Sequence, residues 1–266
     1  MIESSKTTEK DKTTSDYLVF LKDCADLADD MAKHFFEKAL KIEEKKDKTL
    51  VTEADLAIEK KIRELSADYD KDLAVLGEEF GACDPKARRK LIIDPIDGTV
   101  NFIRGIPIFA SLLAIEIEGV IEAAMVSNPI SKERWHAGKN TGAFYQGSPI
   151  SVSKIDSLAE SQAFYGSLFG NEAKGLPVDK VIQLFSKTKR QRGIGDFLMH
   201  LWVAMGYGEF AFDVNLNPWD LAPLGLIVEE AGGKVTTLSG KPFSIYQPTI
   251  LSSNGRYHPS LISHLN

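Results

Sequence analysis

The sequence predicts an α+β or layered α/β fold, in which helices pack against antiparallel strands. Helical and strand-like patterns are mixed along the chain, and several strands follow one another as meanders without an intervening helix. With 266 residues, of which 43% are hydrophobic, the chain is long enough to bury a sizeable core. It shows neither an internal repeat nor a low-complexity linker, so a repeat architecture is not expected.

The first half of the chain is predicted to contain two helices and a series of strands. Apolar residues at helical spacing predict a helix from Ser15 to about Glu44, whose end runs into a highly charged loop over 41–48. Thr52 and Asp55 have the spacing of a capping box, which predicts that a second helix begins there. The predicted strands lie at 73–77, 91–93, 110–118, 120–127, around Trp135 and at 143–145.

The second half is predicted to alternate strands with helices. The pair Gly232-Gly233 marks the end of the longest of these helices. The predicted strands lie at 161–165, 209–214, 235–236 and 250–251, and the predicted helices at 178–187, 196–205, 219–231 and 259–264.

Composition excludes several classes of protein. The formal net charge of −6, from 32 basic and 38 acidic residues, gives no electrostatic footprint for nucleic acid. No apolar run approaches the length of a membrane span, and residues 1–14, interpreted as a disordered tail, lack the apolar stretch of a signal peptide. The two cysteines, Cys24 and Cys83, exclude a disulfide scaffold, so a reducing cytoplasm is the expected location.

The most informative segment runs from Asp94 to Thr99 and reads Asp-Pro-Ile-Asp-Gly-Thr. It follows the apolar run 91–93, so both acids are expected at the end of a buried strand. Pro95 restrains Asp94 to an extended conformation, and Gly98 permits a positive φ or a close backbone approach. Carboxylates and free N–H groups in one stiff loop suit Mg²⁺ and a phosphate. An ordinary Asp-Pro and Asp-Gly turn explains the segment equally well when it is taken alone.

Two further acidic sites stand at the ends of predicted elements. Glu78-Glu79 follows the strand at 73–77, and Trp219-Asp220 stands at the start of a helix. Rigid elements can hold ligands in place at such ends. Together with the Asp94–Thr99 loop, these sites predict a divided metal site, in which no single segment supplies enough oxygen ligands.

The order of these segments resembles the inositol monophosphatase superfamily of Mg²⁺-dependent, lithium-sensitive phosphomonoesterases, from about Lys48 to Gly233. The resemblance implies an α-β-α-β-α sandwich and a homodimer. It also implies one phosphatase domain over 15–266, with most metal ligands in the half 15–149 and the substrate residues in the half 150–266. The matching segments are Val51-Thr52-Glu53-Ala54-Asp55, Gly77-Glu78-Glu79, Asp94-Pro95-Ile96-Asp97-Gly98-Thr99-Val100-Asn101-Phe102, and Trp219-Asp220 followed by Glu230-Ala231-Gly232-Gly233.

Roles for individual residues follow from the same resemblance. Thr99, paired with Glu78, would orient the attacking water, and Asp55 would steady this network. Asp97 and the N–H groups of Gly98 and Thr99 would bind the phosphate. Two or three Mg²⁺ ions are implied, with Mn²⁺ as an alternative and Li⁺ as an inhibitor, and a metal-activated water would hydrolyse a small phosphate ester. The implied metal ligands are Glu78, Asp94, the Ile96 carbonyl, Asp97 and Asp220.

The segment from Arg192 to His200 carries the information on the substrate. Inositol monophosphatases usually have small residues where this chain has Asp196 and Phe197, whereas histidinol-phosphatases of the superfamily commonly have Gly-Asp there, often with a histidine four residues after the Asp. Asp196 and Asp213 could pair the ammonium group of histidinol phosphate. Asp196 could equally be a helix cap. The candidate substrate-binding residues are therefore Asp196, Asp213, Arg192 and Phe197.

The leading functional hypothesis is Mg²⁺-dependent hydrolysis of L-histidinol phosphate. The alternatives in the same class are an inositol-1-phosphate phosphatase of broad specificity and then a phosphatase for 3′-phosphoadenosine nucleotides. A non-catalytic regulatory interaction protein is the alternative from a different class. The complete set of acidic ligands, together with Thr99, argues against the last of these.

Overall fold

The computed structural model describes residues 12–36, 42–44, 50–82, 84 and 86–266. Within that part of the chain, none of the helices combines the length and the apolar character needed to cross a membrane. The helices are α1 (Thr14–Phe36), α2 (Glu53–Tyr69), α3 (Thr99–Ile103), α4 (Val178–Phe185), α5 (Asp196–Ala204), α6 (Pro218–Glu230) and α7 (His258–Leu265).

The strands of the described residues form two main sheets and one short hairpin. The larger sheet has eight strands in the order β10-β9-β8-β7-β6-β5-β3-β4, the smaller has five in the order β12-β11-β13-β15-β14, and β1 pairs with β2. The strands are β1 (Ile42–Glu44), β2 (Leu50–Thr52), β3 (Ala74–Gly77), β4 (Gly81–Ala82), β5 (Arg89–Asp97), β6 (Ala110–Ile117), β7 (Val120–Asn128), β8 (Glu133–Gly138), β9 (Gly142–Tyr145), β10 (Ser148–Pro149), β11 (Gln162–Tyr165), β12 (Arg190–Gly193), β13 (Phe210–Val214), β14 (Lys234–Thr236) and β15 (Thr249–Ser253).

Alternating side chains of the large sheet join two separate cores. On β6, Leu113 and Ile115 pack with α1 and α2, whereas Leu112 and Ala114 pack with α5 and α6. The small sheet covers the other side of α5, and α4 and α7 pack on its outer face. The order of layers is α1/α2, large sheet, α5/α6, small sheet, α4/α7, so the predicted α-β-α-β-α sandwich is confirmed.

The first helix and the tail differ from their predictions. Residues 42–44 form β1 rather than the end of the helix, because they pair in antiparallel register with residues 50–52. Their predicted place in the charged loop is wrong for the same reason. Residues 12–14, the end of the predicted disordered tail, have defined positions, so the prediction is wrong for them. Lys12 Nζ is 2.8 Å from an Asp70 oxygen, the Thr13 N–H donates to Asp16 at 2.8 Å, and Thr14 is the first residue of α1. The rest of the tail, residues 1–11, and loop residues 41 and 45–48 lie outside the described residues.

Candidate active site

The large sheet brings two acidic segments to one edge. β3 and β5 are parallel and adjacent, with Gly77 opposite Ile93, so their carboxyl ends coincide. The Glu78 N–H donates to the Ile93 carbonyl at 3.2 Å, which ties the start of the Glu78 turn to β5. Glu78 and Asp94 therefore leave neighbouring strands at the same level.

A bulge in β5 brings Asp94 and Asp97 together. In a regular strand, side chains three residues apart point to opposite faces. Here Asp94 is opposite Leu112 and Asp97 is opposite Ala110, so β5 advances three residues while β6 advances two. The extra residue reverses the alternation and places both carboxylates on the same side.

Helix α6 contributes the third carboxylate, that of Asp220. Asn217 and Asp220 form a capping box at the start of the helix, and an Asp220 oxygen accepts the Asn217 N–H at 2.7 Å. Asp94, Asp97 and Asp220 each offer an oxygen atom that lies within 4.8 Å of the others. We call these three residues the carboxylate trio. Three of the predicted metal ligands thus form the trio, and a fourth, Ile96, lies between Asp94 and Asp97 in the Asp94–Thr99 loop.

The trio concentrates negative charge in a buried place. Burial, followed by the charge of Glu78, raises the pKa of Asp94 well above its usual range. Burial and the nearby Asp196 do the same for the pKa of Asp97, and burial raises the pKa of Asp220 to about 7. No lysine or arginine among the described residues forms an ion pair with the trio. A proton or a cation is needed to offset this charge, and a set of carboxylate oxygens suits a divalent cation.

Asp55 adds a further oxygen next to Glu78. One Asp55 oxygen accepts both the Thr52 N–H at 2.9 Å and the Thr52 hydroxyl at 2.5 Å, so the predicted capping box is confirmed. The other oxygen is buried and has no hydrogen-bond partner among the described residues. Burial raises the pKa of Asp55 to about 6, and the charge of Glu78 adds to this effect. An unsatisfied carboxylate oxygen in such surroundings fits a nearby cation.

The turn after Asp97 is tight and has a left-handed residue at Gly98. Gly98 has φ of +83°, in the left-handed region, and a β-carbon there would lie 3.0 Å from the Ile108 carbonyl oxygen. Glycine is therefore required for both its conformation and its size. Thr99 begins the short helix α3, and its hydroxyl donates to the Ile96 carbonyl at 3.0 Å. Its pairing with Glu78 stays a prediction.

Asp196 faces this turn from the start of α5. Its Oδ2 accepts a hydrogen bond from Asn101 Nδ2 at 2.8 Å and would lie 3.3 Å from a β-carbon at Gly98. It does not cap its own helix, because the capping position is Gly195 and no side-chain cap is formed there. Its φ of +55° lies in the left-handed region, which aspartate adopts more readily than most residues other than glycine. Burial and the charge of Glu172 raise the pKa of Asp196 to about 6.

Asp213 and Arg192, two further predicted substrate residues, lie in different surroundings. Asp213 lies near Asp196, and burial raises its pKa to about 7, with the charges of Asp196 and Glu172 adding to the effect. Arg192 is exposed on β12, where its guanidinium donates to the neighbouring Gln191 carbonyl at 2.8 Å. His200, the histidine four residues after Asp196, lies in the core rather than in the site. It is 1% exposed, bonds Ser252 at 2.7 Å, and has a pKa lowered by burial to about 3.

Phe197 does not offer its ring to a substrate, in contrast to its prediction as a substrate-binding residue. The ring is 1% exposed and packs edge-on against Trp135 in the core. What reaches the site is its backbone N–H, which donates to Asp97 Oδ2 at 2.7 Å. Packing in the core therefore explains the large apolar residue at the start of α5. Asp97, which belongs to the trio and not to this helix, caps the N-terminus of α5.

Sequence reasoning missed three residues that support the site. Asn101 stands inside the quoted motif, but nothing in the pattern indicated that its side chain bridges Asp196 and the Ile108 carbonyl. Glu172 is in a loop without a motif, and its charge acts on Asp196 and Asp213. Glu59 is one of several charged residues on α2, and only the structure shows it fully buried.

Fold and site together define the class of metal-dependent phosphatases. The model of the inositol monophosphatase family matches residues 15–266, so the chain belongs to that family and is a phosphoric monoester hydrolase. A histidinol-phosphatase of Mycobacterium tuberculosis is 38% identical over 249 residues, which cover 91% of this chain and 95% of the relative. A histidinol-phosphatase of Streptomyces coelicolor is 39% identical over 256 residues and covers 92% and 94%. The solved structure of an inositol monophosphatase from Thermotoga maritima superposes with a TM-score of 0.85 at 31% identity, covering 94% of this chain and 97% of that one.

Proposed function

We propose that this phosphatase hydrolyses L-histidinol phosphate to histidinol and phosphate, with Mg²⁺ as its ion. The observation that carries the choice of substrate is the position of Asp196, whose carboxylate borders the Gly98 turn. A substrate whose phosphate binds at that turn would extend its other end past Asp196. Histidinol phosphate carries an ammonium group, which a carboxylate binds through a charge-assisted hydrogen bond.

Two more acids support a cationic substrate. The charges of Glu172 and Asp213 act together with that of Asp196, so this side of the site carries several mutually repelling carboxylates. An ammonium group would reduce this repulsion, whereas the hydroxyl groups of a polyol would leave it unchanged. The similarity to histidinol-phosphatases supports the same substrate.

The trio and Glu78 would hold the cations in this proposal. Bound divalent cations supply positive charge that neutralises the phosphoryl oxygens and acidifies the attacking water. The chain's own groups would position the reactants. The N–H groups of Gly98 and Thr99 would bind phosphate oxygens, and Thr99 with Glu78 would orient the water. Phosphoryl transfer depends mainly on such positioning and on charge neutralisation.

Inositol 1-phosphate is the second candidate substrate. The similarity to the Thermotoga maritima inositol monophosphatase supports it, and Asp213 suits a hydroxyl group as well as it suits an ammonium group. The predicted homodimer and the predicted inhibition by Li⁺ accompany both candidates.

A panel of phosphate esters tests the proposal. Steady-state phosphate release is measured with L-histidinol phosphate, inositol 1-phosphate and a 3′-phosphoadenosine nucleotide, each with Mg²⁺. The proposal predicts the highest kcat/KM for histidinol phosphate. A higher kcat/KM for either of the other esters would overturn the choice of substrate, and the absence of turnover on all three would favour a regulatory role.

A further inference from the structure

The carboxylate of Glu59 is buried on α2, one helical turn after Asp55. Glu59 is 0% exposed, so its charge needs partners inside the protein. Arg63, a further turn along the same helix, supplies one: its Nη2 lies 2.6 Å and its Nε 2.8 Å from Glu59 Oε1. This pair is part of the layer that packs on the strands of the metal site.

The other partners of Glu59 belong to the turn that carries Glu78. The Glu79 N–H donates to Glu59 Oε2 at 2.7 Å, and the Phe80 N–H donates to Oε1 at 3.3 Å. Arg63 holds the same turn at a later point, because its Nη2 donates to the Gly81 carbonyl at 2.5 Å. The backbone directly after Glu78 is therefore fixed by one buried carboxylate and its arginine.

Gly77, the residue before Glu78, leaves the space that the Glu59 carboxylate occupies. A β-carbon at Gly77 would lie 2.1 Å from Glu59 Oε1 and 2.3 Å from its carboxyl carbon. No side chain fits there unless the Glu59 carboxylate moves away. Glycine at this position is thus required for space, and Glu59 contacts the backbone on both sides of Glu78.

We propose that Glu59 is a positioning residue that holds the Glu78 carboxylate in place for the metal ion. The inference rests on the proposed role of Glu78 as a metal ligand. With the turn already fixed, ion binding does not have to order it, and the affinity for the ion is correspondingly higher. A purely structural ion pair within α2 would stabilise the fold but leave the affinity for the ion unchanged.

Two variants disturb this contact in different ways. Glu59→Gln keeps the size of the side chain but places an amide donor against backbone N–H groups. Gly77→Ala keeps Glu59 but displaces its carboxylate. Glu64→Gln, at a half-exposed acid on the same helix, is the matched control, and Glu78→Gln tests the ligand itself.

Mg²⁺ binding to chelator-treated protein is measured by calorimetry, together with the rise in melting temperature that Mg²⁺ causes. Supporting groups behind metal ligands typically change metal affinity by about 10–100-fold, so Glu59→Gln and Gly77→Ala should each raise the Kd for Mg²⁺ about tenfold or more. Their double variant should resemble Gly77→Ala alone, because both changes act on one contact. Glu64→Gln should match the wild type.

The outcomes separate the inference from the proposed ligand role. If Glu78→Gln raises the Kd while both Glu59→Gln and Gly77→Ala keep it within twofold of wild type, Glu59 is purely structural and the inference is wrong. If Glu78→Gln also leaves the Kd unchanged, the ligand role of Glu78 fails. Hydrogen exchange of the metal-free wild type adds a test that needs no variant: the Glu79 amide should be protected, and exchange as fast as in an exposed loop would contradict the inference.

Discussion

Replacing Asp196 with asparagine removes the charge that we propose binds the substrate's ammonium group, while it keeps the shape of the side chain. The asparagine carbonyl oxygen can still accept the hydrogen bond that Asn101 donates at 2.8 Å. Burial raises the pKa of the Asp196 carboxyl group to about 6, which means that its charged form destabilises the folded state above that pH. The variant removes this charge, so we do not expect it to destabilise the fold at pH 8. Any loss of activity then reports on recognition rather than on unfolding.

The expected loss follows from the strength of a charged hydrogen bond. Such a bond contributes about 1.5–3 kcal/mol, which corresponds to roughly 10–150-fold in kcat/KM. Asp213 and Glu172 keep part of the negative potential in the variant, so we expect a value near the lower end. An ester with an uncharged leaving group, such as glycerol 2-phosphate, gains nothing from Asp196 and should lose less than about threefold.

The assay is steady-state phosphate release from both esters at saturating Mg²⁺. Asp72→Asn is the matched control, since it removes one negative charge from an acid whose side chain is 76% exposed and which precedes β3, at the end of that strand away from the site. Unchanged kcat/KM for histidinol phosphate in Asp196→Asn would refute the reasoning. An equal loss on both esters would also refute it, because it would indicate a general disturbance of the site.

Three further predictions concern the metal loop and its charge. Gly98→Ala places a side chain at φ +83°, so it should lower the free energy of unfolding by about 1–2 kcal/mol and the melting temperature by about 2–8 °C. It should also reduce activity; thermal unfolding and phosphate release measure the two effects. In Asp97→Asn the side-chain oxygen can still accept the Phe197 N–H, so the melting temperature of the metal-free protein should stay level or rise. The Mg²⁺-dependent kcat should fall at least about 100-fold, which corresponds to roughly 3 kcal/mol in the activation free energy. The pKa values of Asp213 and Asp220 are raised from 3.8 to about 7, so metal-free stability should be highest near pH 4 and fall as the pH rises through 7. Mg²⁺ should restore it at pH 8, as melting curves with and without the ion would show.

Structural features that depend only on neighbouring residues could be predicted from local signals in the sequence. The capping box at Thr52 and Asp55 needs only four consecutive residues, and it forms as predicted. The strand before Asp94 was predicted from its apolar run, although β5 begins earlier, at Arg89, and continues to Asp97. Such features depend on propensity and spacing, which a sequence displays directly.

Pairing between distant residues explains what was missed. Residues 42–44 continue a charged, helix-compatible stretch, and only their partners at 50–52 make them a strand. The strand β12 reads Arg-Gln-Arg-Gly, without apolar alternation, and it exists because it adds to the edge of the small sheet beside β11. Neither pairing leaves a mark in the local pattern.

The site follows the same rule. Its acids were predicted, because their types and order are visible in the sequence. The bulge that brings Asp94 and Asp97 to one side depends on the register against β6, and the support from Glu59 depends on the packing of α2 against the Glu78 turn. The carboxylates were thus predictable as residues, and their arrangement required the fold.

The central claim is that the carboxylate trio holds a divalent cation for hydrolysis of a cationic phosphate ester. The most direct measurement is phosphate release from L-histidinol phosphate by EDTA-treated wild-type protein, before and after Mg²⁺ is restored. The account predicts no release before Mg²⁺ is added and full turnover afterwards. Release that is unaffected by the chelator, or that stays absent when Mg²⁺ is present, would contradict it.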